Sequence, residues 1–122
     1  MEIIYNDKKV KKLFADLNDV IHSKNLLQRS IGKERAITVK KRKNQIEAAS
    51  NFNSYLKLHI GNPHLLHEDL AGLYGVDIDP HLRLIIKPIS ADLSSESLAK
   101  CETVVLIGLV EYHGDKNEWL IP

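Results

Sequence analysis

Cysteine is almost missing from this chain: among its 122 residues there is one, Cys101. A single thiol cannot close an internal disulfide, so a reducing cytoplasm is the expected setting and Cys101 reads as an inert thiol. Long hydrophobic runs are missing too, since no stretch approaches the roughly 20 apolar residues that span a bilayer. The opening residues, Met1-Glu2-Ile3-Ile4-Tyr5-Asn6, have neither the basic start nor the small-residue cleavage site of a secretory signal. No internal repeat and no low-complexity segment stands out. Net charge is small, at +1, which by itself says nothing about nucleic acid.

What remains is an ordinary globular composition, 43% hydrophobic and 27% charged. That suits one domain over 1–122 with a single core. The charge is unevenly spread. Residues 7–43 hold twelve Lys/Arg against four Asp/Glu, giving +8, and the rest of the chain carries −7. Such a segment is either an electrostatic footprint for phosphates or two helices whose lysine-rich faces meet water.

The pattern changes along the chain. Glu2 to Tyr5 reads as a strand, and Asn6 or Asp7 as the cap of a helix. Val10, Leu13, Phe14, Leu17, Val20 and Ile21 then form an apolar stripe at helical spacing. Ser30-Ile31-Gly32 interrupts, and a second helix is predicted from about Lys33 to Ala49, the two packing as a hairpin. Asn51 to His59 is a weaker helical segment that ends near Gly61-Asn62-Pro63. From there the period becomes strand-like: Leu73 to Ile78, a turn at Asp79-Pro80, then Leu82 to Lys87, stopped by Pro88. Ser90 to Lys100 reads as a polar loop. Thr103 to Val110 is nearly all apolar, as a strand buried on both faces would be. The order implies an α+β fold, with the N-terminal strand and helical hairpin packed on a twisted, mostly antiparallel sheet.

Three places hold side chains that packing does not require. They are His64 and His67 in Pro63-His64-Leu65-Leu66-His67, Arg83 inside the apolar run Leu82 to Ile86, and Glu111-Tyr112-His113 at a strand end. Gathered on one face, they would suit RNA cleavage without a metal. Imidazoles, with an ordinary pKa near 6.5, can take a proton from the 2′-OH and give one to the departing 5′ oxygen. A guanidinium can stabilise the charge that builds on phosphorus, and a phenol can stack on a base. Each piece also has a plainer reading. Arg83 could pair with Asp77, Asp79 or Glu111, and Glu111-Tyr112-His113 could be a polar strand end. His64-x-x-His67, with His59 or His113, invites a zinc reading, but the helical His-Glu-x-x-His signature is lacking and a turn beside Pro63 does not fix ligand spacing.

Taken in order, these residues resemble the HigB-type branch of the RelE/ParE toxin superfamily, the plasmid-maintenance killer proteins. The likeness runs from Gly32-Lys33-Glu34 to Ala48-Ala49, through Pro63-His64-x-Leu66 and Asp69-x-x-Gly72. It continues over Val76-Asp77-Ile78-x-Pro80-x-Leu82-Arg83-Leu84-Ile85 and closes on Val110-Glu111-Tyr112-His113. The resemblance implies a RelE-like fold and ribosome-dependent cleavage of mRNA by a type II toxin, with no cofactor and no metal. It implies catalytic roles for His64, His67, Arg83, Tyr112 and His113. Glu111 and the basic run Lys40, Lys41, Arg42 and Lys43 are the expected substrate-binding residues. Two positions depart from the pattern. His67 stands where a lysine is usual, which makes that charge depend on pH, and residues 114–122 extend past the usual end. The implied partners are the ribosome and mRNA, and a helix-turn-helix, HigA-like antitoxin through which alone operator DNA would be bound; no membrane is implied. The alternative is a non-enzymatic member of the superfamily: a gyrase poison, or a degenerate domain that acts with an antitoxin in operon repression.

Overall fold

The computed structural model describes all residues except Asp115 and Pro122. Strand β1 (Glu2–Tyr5) opens the chain and pairs in parallel with β5 (Thr103–His113), Ile3 opposite Val104. The Met1 ammonium donates to the carbonyls of Glu47 (2.6 Å) and Ala49 (2.7 Å). It thus places a cation at the C-terminal end of α3 (Lys33–Ala48), where unsatisfied carbonyls favour one.

Helix α1 (Lys8–Phe14) is capped by Asp7, whose carboxylate accepts the Val10 N–H at 2.9 Å. The apolar stripe predicts a helix continuing to Ile21, but α1 stops at Phe14 and a 3-10 turn follows at Leu17–Asp19. Asn25 Nδ2 takes the Asp16 carbonyl (2.9 Å) and Gln28 Nε2 takes that of Val20 (3.1 Å). Amide side chains thus compete for carbonyls that a longer helix would have used. Leu17 and Val20 stay buried regardless, whereas Ile21 is 66% exposed. The helical hairpin is therefore formed by α2 (Leu26–Ile31) and α3, joined at Gly32, whose φ of 95° suits a residue without Cβ.

After α4 (Phe52–Lys57) the chain enters the sheet: β2 (His64–Leu65), β3 (Tyr74–Asp79), β4 (Leu82–Pro88), β5 and β6 (Lys116–Ile121). The strand order is β1-β5-β4-β3-β2, with β6 also paired to β5, and among the described residues only the β1–β5 pair is parallel. This is the expected α+β architecture. The expected loop Ser90–Lys100 holds one short helix, α5 (Ser95–Ala99), capped by Ser94.

Burial divides the sheet's two faces. Residues from all five helices (Val10, Leu27, Val39, Tyr55 and Leu98 among them) join the main core on one face. The other face carries a small apolar cluster, Leu66, Leu70, Ile85 and Val110, to which, among the described residues, no α-helix contributes. The central strand β5 serves both, which explains its unbroken apolar sequence. Within the C-terminal extension, Lys116–Ile121 folds back as β6 and sends Ile121 into the main core.

Candidate active site

Directly paired residues of neighbouring strands point to the same face. His64 pairs with Gly75, Asp77 with Arg83, and Arg83 with Val110. His64, Asp77 and Arg83 therefore share the open face. So does Tyr112, two residues beyond Val110 on the same strand.

There the Arg83 guanidinium lies 4.1 Å from the centroid of the Tyr112 ring. Its Nε donates to Asp77 Oδ1 at 3.1 Å. Stacking and the ion pair hold the side chain in one orientation while its terminal nitrogens keep their donors, which is the geometry a guanidinium needs to receive a phosphate. The expected plain alternative, a salt bridge to Asp77, is thus present, and it positions the same cation.

His64 is fixed by the chain just before it. Its Nδ1 lies 2.7 Å from the carbonyl oxygen of Asn62. A carbonyl can only accept, so Nδ1 carries the hydrogen and, in the neutral ring, Nε2 carries the lone pair. Asn62 supports this from a left-handed backbone (φ 49°), a conformation asparagine tolerates better than most residues. Its side-chain amide also reaches toward Asp77 Oδ2 (3.4 Å). Gly75 is the seat of the pair: a Cβ there would come within 3.2 Å of Arg83 Cδ and 3.5 Å of His64 Cε1. Leu66, Leu70, Ile85 and Val110 form an apolar floor next to these polar groups, and a floor that excludes water strengthens charge interactions above it.

Glu111 and His113 do not join this group. Strands β5 and β6 stay in register to the end, with Glu111 opposite Glu118, Tyr112 opposite Asn117 and His113 opposite Lys116. Alternation then turns Tyr112 to the open face and its two neighbours to the helix-covered side. His113 Nε2 is 2.7 Å from Glu111 and 3.3 Å from Glu118. Arg35 of α3 bridges Asp79 (2.6 Å) and Glu111 (2.8 Å). The Arg35 hydrogen bond holds the Glu111 carboxyl below the usual carboxylate range, with the nearby His113 acting in the same direction. At Asp79 burial pushes upward, but bonds from the His81 backbone and Arg35 prevail and its carboxyl also lies low. Reading Tyr112 and His113 as one pair on one site is therefore corrected: adjacency in a strand separates them.

The basic run is likewise on the other side, along α3. Arg42 donates to the Asp77 carbonyl (3.1 Å) and to Gln45 (3.2 Å), and Lys43 pairs with Glu47 (2.6 Å). Lys41 is exposed and Lys40 half-buried. His67 is exposed in extended backbone just ahead of the turn at Glu68–Leu70, and alternation from Leu66 aims it away from the floor. Among the described residues no group of three or more His, Cys, Asp or Glu is placed to hold a metal ion. Asn62 and Gly75 belong to the site without having been expected there. The sequence sign was weak: an asparagine and a glycine flanking His64 in sequence and in the sheet.

Comparison with protein-family models and with curated proteins found no match. Among solved structures, the YoeB-YefM complex from Staphylococcus aureus contains a similar chain: TM-score 0.50 and 16% identity, over 93% of this chain and 97% of that one. The YoeB dimer from the same organism gives 0.49 and 15%, and the YoeB/ParE toxin from Agrobacterium tumefaciens 0.42 and 13%. At such identities the likeness is one of fold: this chain has an α+β fold similar to that of YoeB.

Proposed function

We propose that the protein is the toxin of a type II toxin–antitoxin pair, a RelE/ParE-superfamily endoribonuclease of the HigB-type branch that cuts mRNA on the ribosome. The observation that carries this reading is the convergence of His64, Arg83 and Tyr112 on an uncovered sheet face, with His64 Nε2 left as the acceptor. In this scheme Nε2 takes the proton of the ribose 2′-OH, and the oxygen attacks the adjacent phosphorus. Arg83 meets the charge gathering on the phosphoryl oxygens, and Tyr112 stacks on the neighbouring base. The 5′ oxygen departs and takes its proton from solvent, leaving a 2′,3′-cyclic phosphate and a 5′-OH. His67, aimed away from the floor, has no part in this scheme, and Lys40 and Lys41 would meet ribosomal RNA from the other side. The YoeB chain of similar fold is found in complex with YefM. By the same logic this toxin would be held by a partner, for which the sequence resemblance favours a helix-turn-helix antitoxin.

Cleavage of messages on purified ribosomes tests the proposal. His64→Ala and Arg83→Ala should each lower the rate by about 10²-fold or more, the size of an acid–base or charge-stabilising contribution. His113→Ala, altered on the opposite face, should stay within a few-fold of wild type. Full activity in His64→Ala would overturn the assignment, and DNA damage in place of mRNA cleavage would favour the gyrase-poison reading.

A further inference from the structure

The hairpin formed by β5 and β6 carries the chain's only tryptophan onto the open face. Trp119 pairs with Val110, a member of the apolar floor that Tyr112 also packs against. The residue remains 40% exposed, a large apolar side chain to leave partly in water. One edge leans over Gly108, where a Cβ would lie 3.2 Å from Trp119 Cζ3 and collide with the Ile121 carbonyl. Glycine at this point is what lets the ring settle so low. Beside the ring is a hollow of about 330 Å³ lined by Asn6, Asp7, Ile107 and Trp119. Ile107 and Trp119 give it apolar walls. Asn6 and Asp7 give it a polar edge, with one Asp7 oxygen already committed to the Val10 N–H.

We infer that this hollow is a second nucleotide subsite, in which a base stacks on Trp119 with its polar edge along Asn6 and Asp7. The inference rests on the reading of His64 and Arg83 as an RNA site. Arg83 lies in β4 and Trp119 in β6, with β5 between them. That separation is two strand spacings, about 10 Å, within reach of a neighbouring nucleotide on a strand gripped at Arg83. The row from Arg83 and Tyr112 past Asn117 to Trp119 alternates ring and polar group, as a surface that tracks single-stranded RNA does. An apolar peptide would cover the ring but leave Asn6 and Asp7 unmatched.

A four-residue 2′-O-methyl oligoribonucleotide, which lacks the attacking hydroxyl, provides the probe. Titrated into the wild-type protein it should quench the single tryptophan's emission saturably, and an abasic residue at the stacked position should restore much of that emission. Trp119→Leu should weaken binding of the end-labelled oligonucleotide, read by anisotropy, by roughly 5- to 100-fold, with Trp119→Phe recovering part of it. Unchanged emission, quenching as strong with the abasic strand, or wild-type affinity in Trp119→Leu would each overturn the subsite. Cleavage of ribosome-bound messages, measured alongside, separates the two ideas. Cleavage without quenching removes the subsite alone, whereas base-dependent quenching without cleavage removes the nuclease reading and leaves the subsite standing.

Discussion

Gly75 is the position where one added carbon would test the candidate site most selectively. A methyl group there must push on Arg83 Cδ and Leu66 Cδ2, each 3.2 Å away, and crowd His64. The backbone at Gly75 needs no left-handed conformation, so Gly75→Ala should fold, at a cost of about 1 kcal/mol for the overpacking. Activity should fall further than stability, by tenfold or more, because small misplacements of positioned groups are costly in rate. A thermal melt beside a ribosome cleavage assay checks this, and a variant with wild-type cleavage would mean that Arg83 and His64 need not be held here. At this scale Arg83 is conspicuous in the sequence, a charge inside an apolar strand, and the structure places it on the open face. The face on which His113 lies is not legible in the sequence. Tyr112 and His113 are neighbours in the chain, but whether strand geometry continues through them depends on β6, and nothing local to residues 111–113 discloses that pairing.

Helix α3 is tied to the sheet through Arg35, which spans Asp79 on β3 and Glu111 on β5. Both carboxyls sit below their ordinary values, Glu111 through its bond from Arg35, Asp79 because backbone and Arg35 bonds outweigh burial. A carboxylate depressed in the folded state contributes stability above its unfolded pKa and loses it as pH falls through the folded value. The contribution should therefore be complete at neutral pH and fade below about pH 4. Arg35→Met should be less stable than wild type at pH 7, with urea midpoints that converge as pH is lowered toward about 3. A gap that stays constant across this range would mean the bridges contribute little. The elements themselves were unevenly legible. Strands β4 and β5 stand out as apolar runs, and β3 and α3 lie close to where they were predicted. The continuation of α1 failed because Asn25 and Gln28 are too far along the chain for their claims on the Asp16 and Val20 carbonyls to be foreseen. Helix α5, five residues long and mostly polar, has almost no period to read.

Across the whole molecule the charged groups are divided between the two faces of the sheet. The excess positive charge of residues 7–43 lies in helices on the covered side, whereas Arg83 stands on the open one. A run of four basic residues looked like one substrate contact, yet Arg42 and Lys43 are engaged within the fold, the first against β3 and the second with Glu47. Lys40 and Lys41 are left as the part of the run that can meet another surface. If the open face does the chemistry and the helical face rests on ribosomal RNA, reversing the second should leave the first intact. The Lys40→Glu/Lys41→Glu double variant should raise the KM for ribosome-bound message several-fold while kcat holds. The salt dependence should weaken as well, because each phosphate contact removed lowers the slope of log affinity against log salt by about one. Cleavage rates measured over a range of salt concentrations give both quantities at once. A fall in kcat with an unchanged salt slope would place the lysines in the chemistry after all, and the separation of faces would have to be abandoned.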